Sequence, residues 1–405
     1  MTPPESPKAA PSTRVDVADE HDRYHRQTLI SWWSQDRLAA ARVLVVGAGA
    51  LGNELVKNLA LAGVGTVVVV DMDRIENSNL SRCVFFRESD DGAFKAEVVC
   101  TRAADLNPNV AFYPVVGDVR HAIGLGSYGG FDVVLGGLDN REARLHVNQA
   151  AWKAGVPWVD GAIEGLMGIV RTFVPPDSAC YECTMSDRDH ELLALRRTCA
   201  LLTRDEMLEG KVPTTGTSAS VIAAMQVQEA IKLLHQDRLP TSMAGKGFAF
   251  NGMTHDSYTV EYPRNEFCMS HDTYALDDAA PAARDASFGA LLARGSELLG
   301  EPALALDLEH DVILAFTCPA CGEHETALTL LSKATAGSAL CPACGAERAF
   351  DLRHSFGADD GELLELTPDE LGLPPNDVIT VRSAGLRSHF VLSGARPWDA
   401  AAGAR

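Results

Sequence analysis

The stretch RVLVVGAGALGNELVKNLALAGVGTVVVVD, residues 42–71, constrains the fold more than any other part of the chain. Val43 to Gly47 is a short β-branched run of the kind that fills buried parallel strands. Leu51 to Leu61 reads as helix, and Gly63 and Gly65 supply its C-terminal stop. Val67 to Val70 is a second strand. Further apolar strands follow at Val110 to Val116, Val133 to Leu135 and Trp158 to Val159, with helical segments between them. Such alternation specifies an α/β fold, a Rossmann-like and mostly parallel sheet with helices on both faces.

Past Ala162 the pattern changes. GIVRTFV (Gly168 to Val174), FAFNGM and YTVEY read as antiparallel additions to the same sheet. SASVIAAMQVQEAIKLLHQ is a strong helix with Ser218 or Ser220 as its expected N-cap. Gln228, Lys232 and His235 share a polar stripe on it, leaving a wide apolar face to bury. DDAAPAARDAS, from Asp277, reads as a linker to a second unit. The expected organisation is a tail over residues 1–18, a nucleotide-binding domain over 19–275 and a small zinc-ribbon-containing domain over 276–405.

A formal charge of −20 argues against nucleic acid and anionic membrane surfaces as partners. The start, MTPPESPKAAPSTRVDVADEHD, has neither the basic nor the apolar region of a signal peptide, and no apolar run approaches about 18 residues. A cytoplasmic protein is expected. Its ten cysteines fall largely in C-x-x-C pairs, which in that compartment read as zinc ligands rather than disulfides.

Gly47-Ala48-Gly49-Ala50-Leu51-Gly52 is a G-x-G-x-x-G between a strand and a helix. Glycines admit a phosphate close to the backbone, and the helix start offers free N–H groups. Asp71, ending the second strand, is placed to accept ribose hydroxyls. These features specify a nucleotide without saying which one. DMDRIENSNLSR adds Asp73, Asn79 and Arg82, GAFKAE adds Lys95, and the loop GGLDNREAR adds Asp139. Cations and a carboxylate at the carboxyl ends of successive strands suit a triphosphate with Mg²⁺ better than a dinucleotide.

RYHRQ (Arg23 to Gln27), VLVVGAGALG, DMDRIENSNLSR, the lysine of GAFKAE, GGLDN and CYEC occur in this order. Over about residues 20 to 275 the set resembles the ThiF/MoeB/ubiquitin-activating-enzyme superfamily of adenylyltransferases. That resemblance implies ATP·Mg²⁺ as co-substrate and the C-terminal glycine of a small ubiquitin-like or sulfur-carrier protein as the group activated. It assigns Asp71 to the ribose, Arg82 and Lys95 to the phosphates, Asp139 to Mg²⁺ and Asn79 to orienting the nucleotide. Arg26 matches an arginine that reaches the γ-phosphate from a neighbouring protomer, which implies a homodimer. Cys83 stands where the superfamily usually has glutamine. Cys83 and Cys100 read as small packing residues.

Cys180 and Cys183 form half of a tetrahedral zinc site. The resemblance places the other half in NEFCMSH, as Cys268 and His271. CPAC-x19-CPAC supplies Cys318, Cys321, Cys341 and Cys344, a closed four-thiolate ribbon with a glycine after each pair. Both zinc sites read as structural, because four protein ligands leave no open position.

Cys199, in RRTCALLTRDEMLEGKVPTT, has no such partner. Arg196, Arg197 and Lys211 favour its thiolate. The resemblance puts it where some members hold the activated protein as a thioester before passing it to a conjugating enzyme. In sulfur-carrier adenylyltransferases of the thiamine or molybdopterin type, a cysteine here is not strictly needed. A nucleotide-binding scaffold is the third alternative.

Overall fold

The computed structural model describes residues 22–186, 188–190, 213–239 and 243–399. Cys199, Arg196, Arg197 and Lys211 therefore lie outside the described residues.

An eight-stranded sheet carries the first part of the chain. Its strands are β1 (Arg42–Val46), β2 (Thr66–Asp71), β3 (Ala111–Val116), β4 (Val133–Gly136), β5 (Trp158–Glu164), β6 (Met167–Phe173), β7 (Lys246–Asn251) and β8 (Asp256–Glu261), in the order β3-β2-β1-β4-β5-β6-β7-β8. The first five are parallel and the last three antiparallel, as expected from the change of pattern past Ala162. The helices in chain order are α1 (His25–Thr28), α2 (Gln35–Ala40), α3 (Ala50–Ala62), α4 (Lys95–Leu106), α5 (Val119–Ala122), α6 (Leu125–Tyr128), α7 (Arg141–Lys153) and α8 (Gly216–Leu234).

Both faces of β1 and β2 are buried, which is why they read as unbroken valine runs rather than as alternation. Val43, Val45, Val67 and Val69 pack under α3, α4 and α8. Leu44, Val46, Val68 and Val70 pack under α5, α6 and α7. The chain leaves β1 for β2 on one side and meets β4 on the other, so the order reverses there and opens a crevice at the carboxyl ends of β1 and β4.

Two local expectations change. The N-cap of α8 is Thr215, whose side chain accepts the Ser218 N–H at 3.2 Å, while Ser220 bonds back to the Gly216 carbonyl. The cap must lie three residues before the donor it serves, and the helix starts earlier than the serines suggested. His235 is fully buried rather than part of a solvated stripe. Its Nδ1 faces the Ile231 carbonyl at 2.8 Å and its Nε2 accepts the Ser34 N–H at 3.0 Å, so the ring joins α8 to the N-terminal segment in a single tautomer.

The remaining strands, β9 (Ala280–Ala282), β10 (Ala305–Thr317), β11 (His324–Leu330), β12 (Ala349–Gly357), β13 (Val378–Arg382) and β14 (Arg387–Leu392), form a six-stranded sheet. The expected linker contributes β9, which pairs with β14. Helix α9 (Phe288–Leu299) supplies Phe288, Leu291 and Leu292 to this sheet's own core. No helix among the described residues is long and apolar enough to cross a membrane.

The second sheet docks on the α5–α7 side of the first. Val378 and Trp398 enter the core under α7. Gly126 donates to the Asn376 carbonyl at 2.8 Å, and Leu125 donates to Asp377 at 3.2 Å. Ion pairs Arg42–Asp399 (3.1 Å) and Arg387–Asp272 (2.8 Å) flank the contact. At its centre the His310 imidazole lies 3.1 Å from Asp377, both shielded, and stacks near the His146 ring on α7. Burial opposes charge on His310, but Asp377 outweighs it and raises the pKa. His146 has its Nε2 sealed from solvent without a partner, and burial pushes its pKa down to about 3.

The signs give a stability maximum. His310 contributes in full below its unfolded pKa of about 6.5 and loses that contribution as pH rises through its raised folded value. His146 is destabilising in acid, because below about pH 6.5 the unfolded chain takes up a proton the folded chain refuses. Thermal melts from pH 5 to 9 should peak near neutrality. His310→Gln should remove the alkaline decline, and an unchanged alkaline limb in that variant would count against this assignment.

Candidate nucleotide site and metal centres

The glycine turn is built by close approach. Gly47 adopts φ +94°, and a Cβ there would lie 2.6 Å from the Gly137 carbonyl oxygen. A Cβ at Gly52 would overlap the Gly47 carbonyl. At Gly49, the N-cap of α3, a Cβ would meet nothing within 4 Å. Two of the three glycines thus seat the helix against the β1 and β4 ends, and the third leaves a cradle open in front of the helix N–H groups. Asn53, which the sequence reading missed, locks the turn. Its amide donates to Ala48 (2.7 Å) and Gly49 (3.1 Å) and its oxygen accepts from Phe85 (3.0 Å).

Asp71 ends β2 beside this cradle and accepts the Ala48 N–H at 2.6 Å and the Asp73 N–H at 2.7 Å. Burial raises its pKa against those bonds. Asp73 pairs with Lys95 at 2.7 Å. Burial disfavours the Lys95 charge, but the bond to Asp73 prevails and the pKa rises, so the ammonium stays charged at the crevice. Asn79 is buried and spends its carbonyl on the Glu76 N–H at 3.0 Å, holding its own turn. That turn presents Arg82, whose guanidinium donates to Ser78 at 2.7 Å. Asp139 lies exposed just past β4, next to Asn140, the N-cap of α7.

Gly47, Gly49, Gly52, Asp71, Asp73, Asn79, Arg82, Lys95 and Asp139 therefore all lie on segments at one edge of the sheet, around the crevice. Arg26 does not join them within one chain. Its neighbours Arg23 and Gln27 bond to the carbonyls of Leu106 and Leu61, at the far ends of α4 and α3. The 13 residues of α3 put that end about 20 Å from the glycine turn.

Behind Asp139 lies a second group that sequence reading missed. Asp160 is fully buried and pairs with Arg144 of α7 and Arg171 of β6. Gln226 of α8, also buried, donates to the Gly136 and Val159 carbonyls at 2.8 and 3.1 Å. Nothing in a single sequence marks such residues, because their partners lie on other elements of the fold.

Both metal clusters assemble. Cys180, Cys183, Cys268 and His271 bring one ligand atom each within 4.8 Å of one another, and so do Cys318, Cys321, Cys341 and Cys344. Sγ–Sγ separations of 3.5 to 3.7 Å, and 3.4 Å from Cys183 to His271 Nε2, match the edges of a zinc tetrahedron, about 3.6–3.8 Å for ordinary bond lengths. His271 stacks on Trp152 at 4.5 Å, which orients its ring. In the ribbon, Gly322 and Gly345 take φ +79° and +73° to turn the chain back past each C-x-x-C. Cys83 and Cys100 are buried, and burial pushes their pKa values up to about 11 and about 12, as befits packing thiols.

A model of the ThiF family matches residues 23–270. The chain belongs to the ThiF family. Among curated ThiF-related proteins it is 32% identical over 260 residues to the SAMP-activating enzyme E1 of Haloferax volcanii, covering 62% of this chain and 88% of that protein. It is 41% identical over 175 residues to the sulfur carrier protein adenylyltransferase of Thermus thermophilus, covering 41% of this chain but only 64% of that one. The crystal structure of E. coli MccB with ATP shares the fold, with a TM-score of 0.52 and 23% identity over 64% of this chain and 76% of that one. The ThiF match stops before the six-stranded sheet begins.

Metal analysis of the purified protein should find about two zinc equivalents per chain, one for each cluster. Cys180→Ser and Cys341→Ser should each remove one. Full zinc retention in either variant would exclude that cluster as a binding site.

Proposed function

We propose that this ThiF-family protein adenylates the C-terminal glycine of a ubiquitin-like protein and then carries the acyl group as a thioester on Cys199 for transfer to a conjugating enzyme. The observation that carries the first step is the convergence of the open cradle at Gly49 with Asp71, Arg82, Lys95 and Asp139 around one crevice. A carboxylate is a poor acyl donor. Its oxygen attacks the α-phosphorus of ATP, the bond to pyrophosphate breaks, and the acyl-adenylate leaves AMP as a good leaving group. Arg82 and Lys95 offset the charge gathering on the phosphates, and Asp71 holds the ribose. Asp139, an exposed carboxylate with one weak contact to Asn140 at 3.3 Å, suits Mg²⁺, which supplies charge neutralisation for the departing pyrophosphate. In the second step the Cys199 thiolate attacks the acyl carbon and AMP departs.

An open stretch of sheet suits the carrier protein. Ala162, Ile169, Ala249 and Tyr258 form one row across β5 to β8, and Met167 lies on the same face. Tyr258 and Met167 are 63% and 54% exposed. The opposite face is filled, since a Cβ at Gly168 would overlap Ile222 of α8. The distance of Arg26 from its own glycine turn supports action on a neighbouring protomer, and hence a homodimer. The coverage of 88% of a SAMP-activating enzyme E1 supports the thioester route. The 41% identity to a sulfur carrier protein adenylyltransferase supports a second reading, in which the adenylate goes to a sulfur donor.

With ATP·Mg²⁺ and a small β-grasp protein ending in glycine, the wild type should catalyse ATP–pyrophosphate exchange. Asp139→Asn should slow exchange about 100-fold or more. A thiol-sensitive adduct lost in Cys199→Ala, with exchange retained, supports the thioester. Exchange without an adduct supports the sulfur-carrier reading, and no exchange with any such carrier overturns both.

A further inference from the structure

Arg144 sits on the second turn of α7 with little of its side chain exposed. Its Nε donates to Asp160 at 3.0 Å, and its terminal nitrogen donates to the carbonyls of Leu138 and, at 3.3 Å, Gly161. Leu138 immediately precedes Asp139. One guanidinium therefore ties the turn leaving β4 to the neighbouring strand β5. The second Asp160 oxygen is taken by Arg171, which lies over the Tyr181 ring at 5.0 Å.

The backbone on either side of Asp139 is pinned. Gly137 donates to the Val46 carbonyl at 2.8 Å, and the Asn140 side chain accepts the Ala143 N–H at 2.8 Å. Between these anchors, among the described residues, the Arg144 bond to the Leu138 carbonyl holds the peptide that leads into Asp139. Burying three charges is costly before their attraction is counted, and apolar residues of like volume commonly serve stability as well. What an apolar set does not supply is a fork that reaches a carboxylate and two carbonyls in fixed geometry.

We propose that Arg144, backed by Asp160 and Arg171, is the positioning residue for Asp139, fixing the turn from which that carboxylate meets the Mg²⁺ of bound ATP. The proposal rests on the adenylation reading and assigns the metal affinity of the ATP complex to a cluster behind the site. A lysine at 144 still pairs with Asp160, but its single ammonium does not span to Leu138 at the same time. Arg171→Met loosens the support from behind and leaves the Leu138 bond in place.

The test is calorimetric titration of ATP into the purified full-length protein, in EDTA and across a Mg²⁺ series, with melting temperatures alongside. In Arg144→Lys and Arg144→Met the Mg²⁺ needed for half-maximal enhancement of ATP binding should rise about 10- to 100-fold, as is usual when a partner behind a metal ligand is lost. ATP affinity in EDTA should stay at the wild-type value, and Arg171→Met should shift the Mg²⁺ dependence the same way by less. If Arg144→Met does not fold, the lysine variant decides. Wild-type Mg²⁺ dependence in the lysine variant overturns the proposal, as does an equal loss of ATP affinity in EDTA, which marks a general structural role. If wild-type ATP binding ignores Mg²⁺ altogether, the adenylation reading fails and the positioning role falls with it.

Discussion

The contact between Gly52 and the Gly47 carbonyl is the constraint on which the rest depends. No side chain fits there, so α3 starts hard against the end of β1, and Gly47 in turn touches Gly137 where the chain leaves β4. The glycine turn and the end of β4, far apart in sequence, meet at backbone contact. That meeting makes the crevice narrow enough for helix N–H groups to face a phosphate. It also sets the spacing between Asp71 on one side and Asp139 on the other.

The two faces of the large sheet divide the remaining work. Under α3, α4 and α8 the core is largely apolar, and near the glycine turn it holds Asn53 and Gln226, each bonded to backbone carbonyls. The other face is mixed. It holds apolar packing under α5 to α7, then the Asp160 cluster, then the Cys180 metal group, and finally the open row ending at Tyr258. On this face Asp160, Arg144 and Arg171 lie between the nucleotide edge and the open row. The second sheet closes the α5–α7 side through His310 stacked near His146 and the Leu125 bond to Asp377, and Tyr258 and Met167 stay exposed.

Much of this was legible from local pattern. Valine runs, the spacing of glycines and the C-x-x-C pairs encode their roles through neighbours in the chain, so strands β1 to β5, the nucleotide edge and both metal groups could be expected. The rest turns on partners outside the local pattern. His235 looked solvated because only the fold shows the Ser34 N–H and the Trp32 and Trp33 rings around it. The α8 cap is Thr215, and the Ser218 hydroxyl is taken instead by the Gly165 carbonyl in the β5–β6 turn. The stretch after Asp277 has linker composition, yet β14 offers an edge to which Ala280–Ala282 pairs.

The sequence by itself determined that this chain builds a parallel sheet with a phosphate turn, that acid and base residues line its carboxyl edge, and that seven cysteines and a histidine come in metal-ligand spacing. Those features are short-range, set by steric rules and by donor chemistry over a few residues. Tertiary structure alone decided that Arg26 lies at the far end of α3, that Arg144 and Asp160 stand behind Asp139, and that the second sheet seats its histidine on α7. Each of these depends on which strands become neighbours, and that is fixed by packing between elements dozens to hundreds of residues apart.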